Sequence, residues 1–151
     1  MQLIIDLGNT QIKYFVFDKE IDIKEISCPI EDWNANLTKL KMDYPAIGQC
    51  IISDVNGAIT KELHQALAPV PIILCSSALR LPFQTRYDPS HQLGADRVAL
   101  LAACALEYPS QNVLVIDLGS CITYDILDQE GIHHGGSISP GFRMRYKAMH
   151  T

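Results

Sequence analysis

Residues 5–8, Ile-Asp-Leu-Gly, recur letter for letter at 116–119. Each copy closes an apolar run, 2–7 or 113–118, that is typical of a buried strand. Each copy is followed by a small polar residue and then by a second run rich in β-branched side chains. The repeat therefore predicts two strand–turn–strand units of the same design.

The rest of the chain alternates strands with helices, which is typical of an α/β protein with a mixed sheet. Residues 80–93 show no periodicity, which predicts a long loop of the kind that often carries function. The expected strands are 12–17, 22–28, 48–54, 70–75, 122–127 and 133–138, with 48–54 and 70–75 buried. The expected helices are 31–41, 57–67, 98–108 and a last one that follows Gly141.

Composition excludes several classes of protein. The 151 residues are 48% hydrophobic and 19% charged, as in a globular protein with a proper core. The net charge of −5 argues against sequence-independent nucleic-acid binding, because an acidic surface repels phosphodiester backbones. No apolar run approaches the roughly 20 residues of a membrane span, and the first residues lack a basic targeting region. We therefore expect a cytoplasmic protein that binds neither nucleic acid nor membrane.

Cysteine and histidine carry no recognisable metal pattern. The five cysteines show no C-x-x-C spacing and lie mostly in apolar runs, so we expect buried, reduced thiols. The five histidines look incidental, and we expect His133 and His134 to be solvated in a turn or an edge strand.

The repeated turn has a chemical use. A glycine turn at the carboxyl end of a buried strand presents backbone N–H groups to a phosphate without a side chain in the way. The aspartate two residues before each glycine, Asp6 or Asp117, can hold a hydrated Mg²⁺ or another cation. Two such loops would clamp a polyphosphate from both sides. The alternative is that both carboxylates merely end their strands, although a carboxylate in an apolar strand needs a partner.

The strand–Asp-x-Gly–strand unit resembles the superfamily of acetate kinase, sugar kinases, Hsp70 and actin, in which paired ribonuclease-H-like domains close around ATP. Three ordered segments are similar to type III pantothenate kinases in particular. Residues 6–13 are similar to the family's first phosphate loop. Residues 87–89, together with 94–97 (Gly-Ala-Asp-Arg), are similar to its substrate loop and its G-x-D-R signature. Residues 117–123, with 135–136 and 140–143, are similar to its second phosphate loop and the stretch after it.

The resemblance implies an α/β, ribonuclease-H-like (actin-like ATPase) fold, with mixed β-sheets flanked by helices. The first domain would span 1–112, and 113–151 would begin the second. The implied activity is ATP-dependent phosphorylation of pantothenate to 4′-phosphopantothenate, the first step of coenzyme A biosynthesis. The implied cofactors are Mg²⁺ with ATP and a monovalent cation, K⁺ or NH₄⁺, and the implied assembly is a homodimer.

On the substrate side, the resemblance makes Asp96 the proton acceptor. Without it, an acid that favours the helix dipole would be equally plausible. Tyr87 and Arg97 would contact pantothenate, whereas the ordinary alternatives are a loop tyrosine packed on the core and a solvated helix arginine. Gly94 and Ala95 belong to the same substrate segment, and Gly94 would let pantothenate approach the backbone.

On the nucleotide side, Asp6 would hold Mg²⁺ through water, and Asp117 would bind the monovalent cation. Lys13 would add positive charge to the first loop, unless it is simply an exposed strand residue. The second loop departs from the family, because Cys121 and Ile122 replace smaller residues and put the nucleotide fit there in doubt. The residues expected to bind ATP are Asp6, Gly8, Asn9, Thr10, Lys13, Gly119 and Ser120.

Members of this family are longer than 151 residues, so the resemblance also implies an incomplete second domain with an unpaired sheet edge and exposed apolar residues. Whether the chain alone is long enough for activity stays open, and the sequence does not decide between a fragment and a chain completed by a partner. Two alternative functions stay open as well. One is another small-molecule kinase of the superfamily, and the other is a non-catalytic, regulatory relative of the transcription accessory type.

Overall fold

The first hairpin is built as the repeat predicts. In the computed structural model, which describes residues 1–55, 57 and 59–150, the first strand runs antiparallel to the second. A parallel strand pairs with the other edge of the first, so the sheet is mixed. The sheet has five strands in the order β3-β2-β1-β4-β5. Its elements are β1 (Gln2–Leu7), β2 (Gln11–Asp18), β3 (Ile21–Pro29), β4 (Gln49–Asp54) and β5 (Ile72–Leu74), with helices α1 (Trp33–Asp43) and α2 (Thr60–Leu67).

Alternate side chains of the central strands form the core of this sheet. Leu3, Ile5 and Leu7 of β1 are fully buried, as the period of two in a strand requires. Tyr14 of β2 is buried as well, and its hydroxyl donates a hydrogen bond to the Trp33 carbonyl oxygen at 2.9 Å. The other fully or nearly fully buried members are Ile12, Val16, Leu37, Leu40, Cys50, Ile52, Leu63 and Leu67.

The second copy of the repeat begins a second sheet. Its elements are β6 (Gln84–Thr85), α3 (Ala95–Glu107), β7 (Val113–Leu118), β8 (Cys121–Leu127), β9 (Ile132–Pro140) and α4 (Phe142–Ala148). The four strands lie in the order β6-β9-β8-β7. Strands β7 and β8 are antiparallel, so they form a counterpart of the first hairpin. Helix α3 packs on both of these strands and buries Val98 and Leu101.

The chain divides into two compact units, Met1–Cys75 and Ser76–Thr151. The long loop and α3 thus belong to the same unit as the second hairpin, because α3 contacts β7 and β8. The domain ranges 1–112 and 113–151 stay a prediction about the family's domains. The predicted loop 80–93 contains the short strand β6 and a 3₁₀ turn, and the predicted start of α2 at 57 includes residues outside the described part of the chain.

Two strands expected to be buried are half-exposed. Leu114, Ile116 and Leu118 of β7 are 59%, 49% and 66% exposed, because β7 is an edge strand and α3 packs on its other face. In β5, an edge strand of the five-stranded sheet, Leu74 is 43% exposed. An apolar run does not distinguish a central strand from an edge strand. The expectation of exposed apolar residues in the second sheet is confirmed.

The cysteines are less uniformly buried than expected. Cys28 and Cys50 are buried, whereas Cys75, Cys104 and Cys121 are half-buried. Burial raises the pKa of the Cys50 thiol to about 12. No described helix has the length and apolar character needed to cross a membrane.

Candidate active site

The first hairpin gathers the nucleotide residues predicted from the first repeat. Three residues, 8–10, connect β1 to β2, and the Gly8 N–H donates to the Gln11 carbonyl oxygen at 3.0 Å. That bond closes the turn, so the exposed Asn9 and Thr10 form its tip. Asp6 lies directly opposite Lys13 in the β1–β2 register. Opposite residues on neighbouring strands have Cβ atoms about 4.5–5.5 Å apart, so the side chains of Asp6 and Lys13 are neighbours on one face of the sheet.

The second hairpin repeats the design with a loop that is one residue shorter. Residues 119–120 connect β7 to β8, and the Gly119 N–H donates to the Cys121 carbonyl oxygen at 2.9 Å. Asp117 is half-buried and Ser120 is exposed. Ile122 is only 3% exposed, so its bulk is taken up by the core and not by the loop tip.

Gly141 packs directly against the backbone of this second loop. Its N–H donates to the Ser120 carbonyl oxygen at 3.0 Å. A Cβ atom at this position would lie 2.4 Å from the Ser120 oxygen and 2.5 Å from the Gly119 oxygen. Because both contacts are with backbone, any side chain at 141 would push the loop out of place.

The Gly-Ala-Asp-Arg segment forms the first turn of α3. Gly94 precedes the helix, and the Asp96 carboxylate accepts a hydrogen bond from the Arg97 N–H at 2.8 Å. A Cβ atom at Gly94 would lie 2.6 Å from the Asp96 Oδ1 atom, so the missing side chain leaves room for this carboxylate. Asp96 is half-buried.

Arg97 is buried, at 4% exposure, although the sequence predicted it as a substrate contact. Its Nε and Nη2 atoms donate to the two carboxylate oxygens of Asp125 at 2.9 and 2.5 Å. Its guanidinium carbon lies 5.3 Å from the centroid of the Tyr87 ring, within cation–π range. Two nitrogens of Arg97 are thus already bonded to the oxygens of Asp125. The substrate role of Arg97 stays a prediction.

His133 is fully buried, so the expectation that it is solvated was wrong. Its Nε2 atom lies 2.7 Å from Asp125 Oδ1, and its Nδ1 atom lies 2.8 Å from the Thr85 hydroxyl. The Tyr87 N–H donates to the same hydroxyl at 3.0 Å. His134, by contrast, is exposed as expected and pairs with Asp128 at 2.5 Å.

Burial of Asp125 alone would raise the pKa of its carboxyl. The hydrogen bonds from His133 and Arg97 outweigh that effect and hold the pKa below its usual value. The hydrogen bond with Asp125 in turn raises the pKa of Arg97. Arg97 and Asp125 therefore form an ionised pair at neutral pH, in which each charge is compensated by the other.

This pair predicts how stability depends on pH. The folded-state pKa of Asp125 lies below the roughly 3.9 of an unfolded aspartate, so its stabilising effect is complete above about pH 4 and is lost as the pH falls toward the folded-state pKa. We expect the difference in free energy of unfolding between wild type and Asp125→Asn to shrink as the pH falls below about 4. Urea unfolding at each pH measures it.

Asp128, whose pKa is also lowered, chiefly by its hydrogen bond with His134, is present in both proteins and cancels from the difference. A difference that grew on acidification would contradict the assignment.

A sequence model of type III pantothenate kinases matches residues 2–151. The chain belongs to the type III pantothenate kinase family. A Christiangramia forsetii protein named type III pantothenate kinase is 39% identical over 151 residues, which are 99% of this chain and 62% of the relative. The chain thus spans about three-fifths of the length of the curated relatives it matches.

Solved structures agree with the fold of this type III pantothenate kinase family member. A Campylobacter jejuni protein, provisionally described as a Baf family transcriptional activator, has a TM-score of 0.62 at 28% identity, covering 97% of this chain and 58% of its own. An Aquifex aeolicus Ppx/GppA phosphatase has a TM-score of 0.55 at 14% identity, covering 97% and 54%. The second likeness concerns the fold alone. The actin-like, ribonuclease-H-like α/β class predicted from the sequence is confirmed.

Proposed function

We propose that the whole protein phosphorylates pantothenate with ATP to give 4′-phosphopantothenate, the first step of coenzyme A biosynthesis. The observation that carries the proposal is the Asp96 carboxylate, held at the start of α3 by the Arg97 N–H at 2.8 Å in the segment that resembles the family's G-x-D-R signature. A half-buried carboxylate in a fixed position suits a general base, which must reach the proton that it removes.

Asp96 acts on the primary hydroxyl of pantothenate. As the hydroxyl oxygen forms a bond with the γ-phosphorus, the bond from that phosphorus to the bridging oxygen of ADP breaks, and the hydroxyl proton passes to the Asp96 carboxylate. Tyr87, Gly94, Ala95 and Arg97 are the residues proposed to orient pantothenate. Positioning contributes much of the acceleration in phosphoryl transfer, because the protein itself makes no covalent bond.

In this proposal each hairpin offers nucleotide-binding groups within its own unit. Asn9, Thr10 and Ser120 offer exposed loop donors beside Gly8 and Gly119, and the exposed Lys13 adds positive charge next to Asp6. Asp6 suits Mg²⁺, which nucleotide enzymes often hold with one or two carboxylates, waters and phosphate oxygens. When bound, Mg²⁺ neutralises charge that develops on the phosphates. Asp117, at the same place in the second hairpin, is proposed as the ligand of K⁺ or NH₄⁺.

Gly94→Ala tests the positioning of the base. The added methyl would lie 2.6 Å from the Asp96 Oδ1 atom, so the carboxylate must swing away. Because only the end of a flexible side chain moves, we expect the free energy of unfolding to change by less than about 1 kcal/mol. We expect kcat to fall by about 10- to 100-fold, since small misplacements of reacting groups are costly. Steady-state kinetics and urea unfolding measure the two effects, and wild-type kcat in this variant would contradict the assignment.

The direct test is ATP-dependent phosphorylation of pantothenate by the purified whole protein with Mg²⁺ and either K⁺ or Na⁺. The assay includes a sugar and acetate as alternative acceptors. Turnover of pantothenate alone, stimulated by K⁺ over Na⁺, is the expected result. Turnover of a sugar or acetate in place of pantothenate would favour another small-molecule kinase of the same superfamily.

A regulatory role is the second candidate, because the Campylobacter jejuni protein of similar structure is described as a transcriptional activator. Absence of phosphoryl transfer to any acceptor, together with retained ATP binding, would favour it. From the family resemblance we also propose a homodimer, and from the charge and composition of the sequence we propose a cytoplasmic protein that binds neither nucleic acid nor membrane.

A further inference from the structure

A continuous line of hydrogen bonds, buried from Arg97 to His133 and partly buried from there on, connects α3 to the loop that carries Tyr87. It runs from Arg97 to Asp125, from Asp125 to His133, and from His133 to Thr85, with heavy-atom distances of 2.5 to 2.9 Å. It ends at the Tyr87 N–H, which donates to the Thr85 hydroxyl at 3.0 Å. All five residues lie in the same compact unit.

One protonation pattern satisfies every bond in this line. With its proton on Nε2, the His133 ring donates to Asp125 and accepts from the Thr85 hydroxyl through Nδ1. The oxygen of that hydroxyl is then free to accept from the Tyr87 N–H. Since His133 is fully buried and Asp125 is 2% exposed, water does not readily replace either partner.

Tyr87 is held at both ends by the same residues. Its backbone N–H is fixed through Thr85, and its ring faces the Arg97 guanidinium at 5.3 Å. That guanidinium is in turn fixed by two hydrogen bonds to Asp125. Asp125 is therefore the point at which the two routes to Tyr87 meet.

We infer that Asp125, His133 and Thr85 are positioning residues for the Tyr87 loop, and that Asp125 also positions Arg97 through their ion pair. The inference rests on the proposed function where it concerns pantothenate. Where it concerns the geometry of Tyr87, it stands on the hydrogen bonds alone.

Thr85→Val is the sharpest test, because it removes one hydroxyl and keeps the side chain's shape. Thr85→Ser restores the hydroxyl and is the matched control. In wild type the Tyr87 amide should be protected from hydrogen exchange, and in Thr85→Val its exchange should accelerate by about 10-fold or more. In Thr85→Ser exchange should stay within about threefold of wild type.

Asp125→Asn tests the other end of the line. Asp125 Oδ1 accepts from both His133 and Arg97, whereas Oδ2 accepts from Arg97 alone, so an asparagine places its NH₂ group against a donor of Arg97 in either orientation. We expect faster exchange at the Tyr87 amide here too, although His133 and Thr85 lie between Asp125 and that amide along the line. Unchanged exchange at Tyr87 in both Asp125→Asn and Thr85→Val would overturn the inference, whatever the kinase assay shows.

Kinetics separate positioning from a general loss of structure. In Thr85→Val we expect the KM for pantothenate to rise by about 10-fold while the KM for ATP is unchanged, because only the substrate loop is loosened. A lower kcat with both KM values unchanged would mean a smaller folded fraction and would overturn the positioning role.

Arg97 has its own arm in the same experiment. If Asp125 positions Arg97, the double variant Arg97→Lys/Asp125→Asn should lose no more catalytic efficiency than the worse single variant. Losses that multiply would show that the two residues act independently and would overturn this part of the inference. Faster Tyr87 exchange in a chain whose wild type neither binds nor phosphorylates pantothenate would support the positioning line and reject the proposed function.

Discussion

Replacing Asp96 by asparagine should lower kcat for pantothenate phosphorylation by about 10²- to 10⁴-fold, the usual contribution of a general base. Asparagine keeps an oxygen that accepts the Arg97 N–H, whose bond to the carboxylate measures 2.8 Å in wild type, so the first turn of α3 should remain intact. What is lost is the ability to take up the hydroxyl proton. Steady-state kinetics measure the loss, and titration with a fluorescent ATP analogue should give an unchanged dissociation constant.

Asp43→Asn is the control for the removal of one negative charge, since Asp43 is exposed at the end of α1, in the other compact unit. It should leave kcat unchanged. Near-wild-type turnover by Asp96→Asn would remove Asp96 from the role of base. A loss of ATP binding in that variant would place the residue in the nucleotide site instead.

Gly136→Ala should destabilise the protein by more than about 3 kcal/mol, at the upper end of what overpacking costs. A Cβ atom there would lie 1.7 Å from the Tyr124 carbonyl oxygen, and 3.0 Å from the Asp125 Oδ1 atom. The first contact is with backbone, so β9 must move away from β8 to admit even a methyl group. Urea unfolding of the purified variant, or its failure to accumulate as folded protein, measures the effect.

Gly48→Ala is the matched control, because a Cβ atom at Gly48 would meet nothing within 4 Å. It should change the free energy of unfolding by no more than about 0.5 kcal/mol. Equal stability of the two alanine variants would show that β8 and β9 are less closely paired than the distances indicate.

The local parts of the fold were predictable from the sequence. Both hairpins follow from an apolar run that ends in Asp-Leu-Gly and is followed by a second run rich in β-branched residues, and α3 begins where the Gly-Ala-Asp-Arg segment places it. These signals lie within a few residues of the structure that they determine, so no knowledge of the tertiary fold is needed.

The hydrogen-bond line was not predicted, because its members are far apart in sequence. Arg97 and Asp125 are separated by 28 positions, and Thr85 and His133 by 48. One signal for Asp125 was nevertheless present. It alternates with Thr123 and Leu127 on the buried face of β8, and a carboxylate in phase with a core face needs a partner. The exposure of β7 was missed for the opposite reason, since an apolar run gives no information on what covers it.

The close approach of Gly141 to the second loop has a consequence for natural variation. Residues 119, 120 and 141 share one small volume in which a single methyl group has no room. Substitutions in the loop are therefore tolerated only if its backbone still passes close to position 141. The glycine at 141 thus restricts sequence variation in a loop that lies some twenty residues upstream. Residues 119, 120 and 141 should therefore vary together in evolution, and sequences that change the loop without keeping glycine at 141 should be rare.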